Sequence, residues 1–278
     1  MSTPVLLTEA GRLGWEAIVR DPGTAVIASD FDGVLSPLVE DPAMSRSAPG
    51  VLDALARLAQ TVNQVAIVTG RPALVATELS GVTGHPGLGR LVVLGHYGLE
   101  RWEAATGAVT SEPVPSGVAE ARDRLPGVLQ AAGVPDAFVE DKESSVAVHT
   151  RRLPDPLGAL EALRTPLTEL AESVELRLEP GNLVFELRPP GIDKGVAMRR
   201  LVGSTGARSV LYGGDDLGDL AAFRALQELR SEGLYAVLLA TRSSGATELL
   251  DAADIVVDDP AGVVTVLTAL ADAIAVGS

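Results

Sequence analysis

The segment SDFDGVLSP places two carboxylates, Asp30 and Asp32, on either side of Phe31 at the end of an apolar run. In extended backbone, residues i and i+2 face the same way, so both acids point into one crevice while Phe31 turns to the core. Adjacent carboxylates repel, and one is readily kept protonated unless a cation joins them, which divides the pair into a nucleophile and an acid. A calcium loop fails here, because Val34 and Leu35 stand where an EF-hand needs a ligand and a glycine. An Asx turn closing a strand remains the alternative for this motif taken alone. A second apolar run ends in VAIVTGRP, offering the Thr69 hydroxyl, the Gly70 backbone and Arg71. A hydroxyl and an N–H at a helix start favour anions, and Arg71 adds a charged fork suited to binding a phosphate substrate. The same residues also make a threonine cap ahead of a proline in the first helical position, Pro72. GIDKG sets Lys194 in the first turn of a helix, and LYGGDDLGD sets Asp215, Asp216 and Asp219 after a further apolar run. Singly these are an ordinary surface lysine and an acidic helix cap. Together, three run ends deliver paired carboxylates, a hydroxyl, further carboxylates and a lysine, a convergence that capping does not require.

The elements that must position these groups follow from hydrophobic pattern. The runs TAVIAS, VAIVT, LVVLG, SVLYGG and LYAVLLA are nearly continuous in apolar residues, as suits strands buried on both faces of a parallel sheet. Residues 48–60 repeat leucine and alanine at helical spacing, and the alternation of strand and helix predicts a doubly wound parallel α/β sheet with ligands at the carboxyl ends of its strands. Between about residues 113 and 190 the pattern changes to AFVED, SVAVH, VELRL and NLVFEL with helices around 117–132 and 154–172, a small α+β unit. Its flanks, EPVPSG and RPPG, carry the proline and glycine punctuation of hinges. The expectation is a core made of residues 1–112 and 191–278 with an α+β domain, residues 113–190, inserted between its halves.

Composition restricts the function classes. The 278 residues are 46% hydrophobic and 21% charged, with a mean hydropathy of +0.26, which excludes a disordered chain. Twenty-two Lys and Arg against 37 Asp and Glu leave a net charge of −15, which argues against nucleic acid or an anionic membrane as partner. Without cysteine there are no disulfides, thiolate nucleophiles or zinc fingers, in keeping with a cytoplasmic location. His85, His96 and His149 are too widely spaced for an HExxH-type zinc pair, so a metal would be held by carboxylates and would be a hard ion such as Mg²⁺. The first twenty residues read as an amphipathic helix, not a signal peptide, and the apolar stretch 263–276, interrupted by Asp272, reads as too short to span a bilayer. Dinucleotide-binding, Walker A and G-x-S-x-G patterns are absent.

With these residues in place, the chain resembles the haloacid dehalogenase superfamily of phosphohydrolases and, within it, the trehalose-6-phosphate phosphatases. The resemblance covers most of the chain, through DFDGVLSP, VTGRP, GHYGLE, EDKESSVAVHTRR, PGNLVFELRPPGIDKG and GDDLGDLAAF. It implies Mg²⁺-dependent hydrolysis of trehalose 6-phosphate, with Asp30 as nucleophile, Asp32 as acid and base, and Thr69 and Lys194 as phosphate holders. It further implies Asp215 as a Mg²⁺ ligand beside Asp30 and the Asp32 carbonyl, and Asp216 and Asp219 as supporting carboxylates. The inserted domain would act as a cap that excludes water and reads the sugar through Glu140, Lys142, Arg151 and Glu186. Val34, Gly218, Leu220 and Asn182 depart from the family pattern without removing a catalytic group. A phosphatase of another sugar or pseudo-disaccharide phosphate, or a noncatalytic sugar-phosphate sensor, stays open as an alternative. The partner is a small sugar phosphate, and a monomer is compatible with the sequence.

Overall fold

The computed structural model describes residues 4–277. The chain begins with α1 (Glu9–Arg20), β1 (Ala25–Ser29), α2 (Val51–Ala59), β2 (Gln64–Val68), α3 (Ala73–Ser80), β3 (Val92–Gly95), β4 (Glu100–Glu103) and β5 (Val109–Ser111). It continues through α4 (Ser116–Ala131), β6 (Phe138–Asp141), β7 (Val146–His149), α5 (Pro156–Ser173), β8 (Arg177–Gly181) and β9 (Val184–Arg188). It closes with α6 (Lys194–Thr205), β10 (Ser209–Gly214), α7 (Leu220–Ser231), β11 (Tyr235–Thr241), α8 (Thr247–Asp251), β12 (Ile255–Val257) and α9 (Pro260–Gly277). Two compact units result: a larger one built from the residues up to Ser111 together with those from Asp193 onward, and a smaller one, Glu112–Ile192.

The larger unit is an eight-stranded sheet in the order β12-β11-β10-β1-β2-β3-β4-β5, parallel from β12 to β3 and antiparallel thereafter. Strand alternation explains why its apolar runs are continuous. Ile27, Ile67, Val93, Leu211 and Leu239 turn to the layer of α1, α2, α3 and α9, while Val26, Ala28, Val68, Tyr212 and Leu238 turn to that of α6, α7 and α8. The antiparallel pair β4 and β5 was not foreseen: ERWE holds a single large apolar residue, Trp102, and that residue packs into the first layer.

Several boundaries differ from the sequence expectations. Pro72, at φ −53 and ψ 141, precedes α3 instead of opening it, and the Ala73 N–H is taken by the Glu100 carboxylate at 2.7 Å. The helix expected over 48–60 starts at Val51, because Gly50 turns the chain at φ +88. The C-terminal apolar stretch forms an 18-residue helix, long and apolar enough to cross a membrane, in contrast to the shorter length expected. It is a core helix: Val263, Val266, Leu267, Leu270 and Ile274 are buried, α9 packs on α1 and α2, and Asp272 pairs with Arg57 of α2 at 2.5 Å.

The smaller unit is an antiparallel sheet in the order β6-β7-β9-β8. Val146, Val148, Phe185 and Leu187 project to one face, where Val118, Leu125 and Leu129 of α4 and Leu163, Leu167 and Leu170 of α5 cover them. The strand expected at VELRL begins only at Arg177, since Val174 caps α5 and Glu175 turns at φ +58.

Candidate active site

Parallel pairing sets the carboxyl ends of β10, β1 and β2 side by side, and the acids of the larger unit gather there. The Asp30 N–H extends the β1 ladder to the Gly213 carbonyl at 2.8 Å, which fixes the backbone beneath its side chain. Its Oδ1 accepts from the Phe31 N–H at 2.6 Å, and its Oδ2 lies 2.7 Å from the Lys194 Nζ. Lys194 is the first residue of α6, whose start is capped by the Asp193 carboxylate accepting from the Val196 N–H. The same ammonium donates to Asp219 Oδ1 at 2.7 Å, and the Tyr212 hydroxyl donates to that oxygen at 2.6 Å. Asp219 Oδ2 accepts from the Asp215 N–H at 3.0 Å, so this fully buried carboxylate is satisfied on both sides. Asp216 is exposed and closes the turn before α7 by accepting from the Gly218 and Asp219 N–H groups.

Asp215 is the group left over. It is 3% exposed, and no group among the described residues donates a hydrogen bond to its carboxylate. Its carboxylate fills the space a side chain on Gly33 would need, and Gly33, at φ +75, is the residue type such a turn tolerates. Burial, then Asp216 and Asp219, push its carboxyl up to about 8. Burial also raises Asp30 well above its ordinary value against the pull of Lys194, with Asp219, Asp216 and Asp215 adding to the shift. Burial opposes the Lys194 charge, but Asp219 and Asp30 outweigh it and hold the ammonium well above its ordinary range. The locality therefore carries more negative charge than its lysine can offset. Asp30, Asp215 and Asp219 each present an oxygen within 4.8 Å of the others. Hard oxygen donors, a carboxylate that no group among the described residues donates to and excess negative charge suit a divalent cation, and this acidic cluster can hold one.

Asp32 has different company. Arg71 grips it with a two-point fork, Nε to Oδ2 at 2.7 Å and Nη2 to Oδ1 at 2.8 Å, and the Ser45 hydroxyl donates to Oδ1 at 2.9 Å. The fork that the sequence suggested for phosphate is thus engaged with Asp32. Thr69 is buried at the end of β2 and its hydroxyl accepts from the Arg71 N–H at 3.2 Å. On the far side of Gly33, its carbonyl accepts from the hydroxyls of Thr241 and Ser243, and the Asp215 carbonyl accepts from that of Ser244.

These hydroxyls were missed in sequence. Tyr212 gave a signal, being a polar-tipped ring in a strand buried on both faces, where a phenol needs a partner. Thr241 ends a parallel strand and Ser243 and Ser244 follow it, which was signal enough to include them. Ser45 lies in an irregular stretch and gave none.

In the smaller unit, register sets Glu140, Ala147, Glu186 and Glu179 in one row across β6, β7, β9 and β8, on the face opposite the helices. Lys142 Nζ lies 3.1 Å from Glu186 Oε2, and the Ser145 hydroxyl donates to Glu186 Oε1 at 2.6 Å. Burial works to raise Glu186, yet Lys142, the Ser145 hydrogen bond and Arg188 outweigh it and leave the carboxyl below its ordinary value. Glu140 meets the His149 imidazole at 2.8 Å, a contact the sequence did not suggest. Arg151 falls outside this group: it is exposed in the turn past the end of β7 and donates to the Asn182 carbonyl at 3.3 Å.

The family model described as Trehalose-phosphatase matches residues 28–252. A protein named trehalose-phosphate phosphatase from Mycobacterium avium is 31% identical over 264 residues, covering 87% of this chain and 61% of that protein. The chain thus spans about three fifths of the length of this curated relative. A solved trehalose-6-phosphate phosphatase of Aspergillus fumigatus superposes with a TM-score of 0.71 at 23% identity, covering 98% of this chain and 99% of that one. A haloacid dehalogenase-like hydrolase from Bacteroides thetaiotaomicron gives a TM-score of 0.60 at 16% identity, covering 87% and 98%. The structural matches establish the fold as the haloacid dehalogenase-like one, a parallel α/β core accompanied by an α+β unit. The sequence match runs from β1, just before Asp30, past Lys194 and Asp215 to α8, and so the chain belongs to the trehalose-phosphatase family.

Proposed function

We propose that this chain is a Mg²⁺-dependent phosphatase that converts trehalose 6-phosphate to trehalose and phosphate through a phosphorylated Asp30. The observation that carries the reading is the clustering of a buried, lysine-held Asp30 with Asp215, whose carboxylate no group among the described residues donates to, a nucleophile beside a cation site. Mg²⁺ held by Asp30, Asp215 and the Asp32 carbonyl would offset the repulsion between the attacking carboxylate and the phosphate dianion. Asp30 attacks phosphorus in line, forming an acyl-phosphate bond as the phosphorus–sugar oxygen bond breaks. Asp32 gives its proton to the departing sugar oxygen, then takes one from the water that cleaves the acyl phosphate and regenerates Asp30. Thr69 and Lys194 hold the phosphoryl oxygens, Asp219 holds Lys194, and Asp216 shapes the turn that presents Asp215. Arg71 serves the reaction by orienting Asp32.

Residues 112–192 act in this reading as the inserted cap, with Glu140, Lys142 and Glu186 recognising sugar hydroxyls and Arg151 contributing from the adjoining turn. The trehalose moiety is assigned because the curated relative is named for that substrate. A small sugar phosphate is the partner, and a cysteine-free acidic chain suits the cytoplasm. Phosphate release from a panel with Mg²⁺ present tests the reading: trehalose 6-phosphate, hexose 6-phosphates, other disaccharide phosphates and an aryl phosphate. The highest kcat/KM is expected for trehalose 6-phosphate. A clear preference for another sugar overturns the substrate, and no turnover of any compound overturns the activity.

A further inference from the structure

The turn after β3 holds two consecutive residues in left-handed backbone, His96 at φ 48 and Tyr97 at φ 57. Side chains with a Cβ rarely adopt such backbone, and a residue held there signals that the surroundings impose it. The surroundings are the loop after β2. The His96 N–H donates to the Arg71 carbonyl at 2.9 Å and the Tyr97 N–H to the Thr69 carbonyl at 3.0 Å. The Glu100 carboxylate just past the turn takes the Ala73 N–H, and Gly95 lies so close to Ala73 that no side chain fits between them. The turn is therefore strapped along residues 69–73. Gly70 completes the fit: its φ is not left-handed, so the backbone does not demand glycine, but a Cβ there would meet the Tyr97 Oη at 2.7 Å and Cζ at 2.8 Å. The missing side chain makes room for the ring.

We propose that Tyr97 is a positioning residue for proton transfer at Asp32. Its ring, seated on Gly70, fixes the Gly70–Arg71 step, while Thr69 is held independently by backbone bonds to the Leu94 carbonyl and the Tyr97 N–H, and Arg71 passes the constraint to Asp32 through its two-point fork. The inference rests on the reading of Asp32 as the acid. An acid out of line lets the leaving oxygen depart with its charge unneutralised, so the loss grows with the basicity of the leaving group. A residue that only supports the fold would slow all substrates alike.

The test is kcat/KM, which reports steps through the first cleavage, for the Mg²⁺-loaded enzyme on aryl phosphates of graded phenol acidity and on a simple alkyl phosphate. None of these carries a sugar, so recognition by the smaller unit does not enter. Tyr97→Ala should lose about tenfold on the alkyl phosphate and stay within about twofold on nitrophenyl phosphate. Gly70→Ala, which drives a methyl group into the ring, should show the same graded pattern, and Gly70→Ala with Tyr97→Ala should be no worse than Tyr97→Ala alone. Asp32→Ala is measured alongside. A uniform loss across the series, or no loss, in both Tyr97→Ala and Gly70→Ala overturns the inference while a graded loss in Asp32→Ala leaves the mechanism standing. A flat response in Asp32→Ala removes Asp32 as the acid and this inference with it.

Discussion

The acidic edge of the larger unit and the polar face of the smaller one balance their charge in opposite ways. At the edge, Asp30, Asp215 and Asp219 are each less than a tenth exposed, one lysine pairs with Asp30 and Asp219, and burial drives Asp30 and Asp215 upward. On the polar face, Lys142 and Ser145 satisfy both oxygens of Glu186 and hold its carboxyl low, and His149 meets Glu140. The first region needs positive charge from outside before its carboxylates can all ionise. The second is internally paired and can exchange hydrogen bonds with neutral hydroxyls at small electrostatic cost. In the proposed function, catalytic charge and recognition charge would thereby be built under different physical constraints, and substitutions should tell them apart.

The sharpest break in the comparison is Asp30→Asn, which removes the proposed nucleophile and one carboxylate from the crowded edge together. Hydrolysis of both trehalose 6-phosphate and an aryl phosphate should fall by about 10³-fold or more, with no drop in thermal stability. A variant that retains turnover removes Asp30 from the chemistry.

Metal removal should also strike the edge alone. Chelation should abolish activity on every substrate, and added Mg²⁺ should restore it. Folding raises the Asp215 pKa from 3.8 to about 8, so the metal-free fold holds that proton more tightly than the unfolded chain does. Its contribution to stability is complete below about pH 4 and is lost as pH rises through 8. Mg²⁺ should therefore raise the melting temperature more at pH 8 than at pH 5, as differential scanning calorimetry would show. An equal rise at both values separates the ion from Asp215.

A smaller and more selective effect belongs to the polar face. Glu186→Ala or Lys142→Ala should lower kcat/KM about 10- to 100-fold for trehalose 6-phosphate while changing that of a small aryl phosphate by less than about threefold. Equal losses on both substrates assign these residues to folding. The smallest effect expected has the opposite sign. In the presence of chelator at about pH 9, where Asp215 is ionised in the fold, Asp215→Asn should stabilise the protein by about 1–2 kcal/mol, because it removes a buried charge that Asp216 and Asp219 oppose more than Lys194 offsets. A chemical denaturation midpoint that falls would show the carboxylate to be better accommodated than its surroundings indicate.

Much of the acidic edge was legible because its residues come in short blocks where an apolar run stops, as at Asp30, Thr69 and Asp215, and the sheet aligns those stops. Their partners were not legible, since each pairing bridges a long stretch of chain. Lys194 meets an acid 25 residues ahead of it and another far behind, and Arg71 turns to Asp32 across 39 residues. Charge type alone made Arg71 a phosphate ligand; geometry engages it with a carboxylate. In the smaller unit, strand alternation revealed which residues share a face, whereas Arg151 keeps that alternation in sequence but lies after β7 has ended. The extra strands β4, β5 and β12 are three or four residues long, too short for periodicity to register.

The central position of β1 has a consequence for biosynthesis. On one side it pairs with β2, synthesised soon afterwards, and on the other with β10, where Ser29 aligns with Gly213. A nascent chain carries β1 with one edge unpaired until β10 emerges, while residues 112–192 can complete their own antiparallel sheet from neighbouring segments in the interval. Asp30 is made before Lys194, Asp215 and Asp219, the ammonium and carboxylates that surround it. The ribosome thus delivers Asp30 well before the groups that set its charge, and a product truncated ahead of β10 would present an open sheet edge.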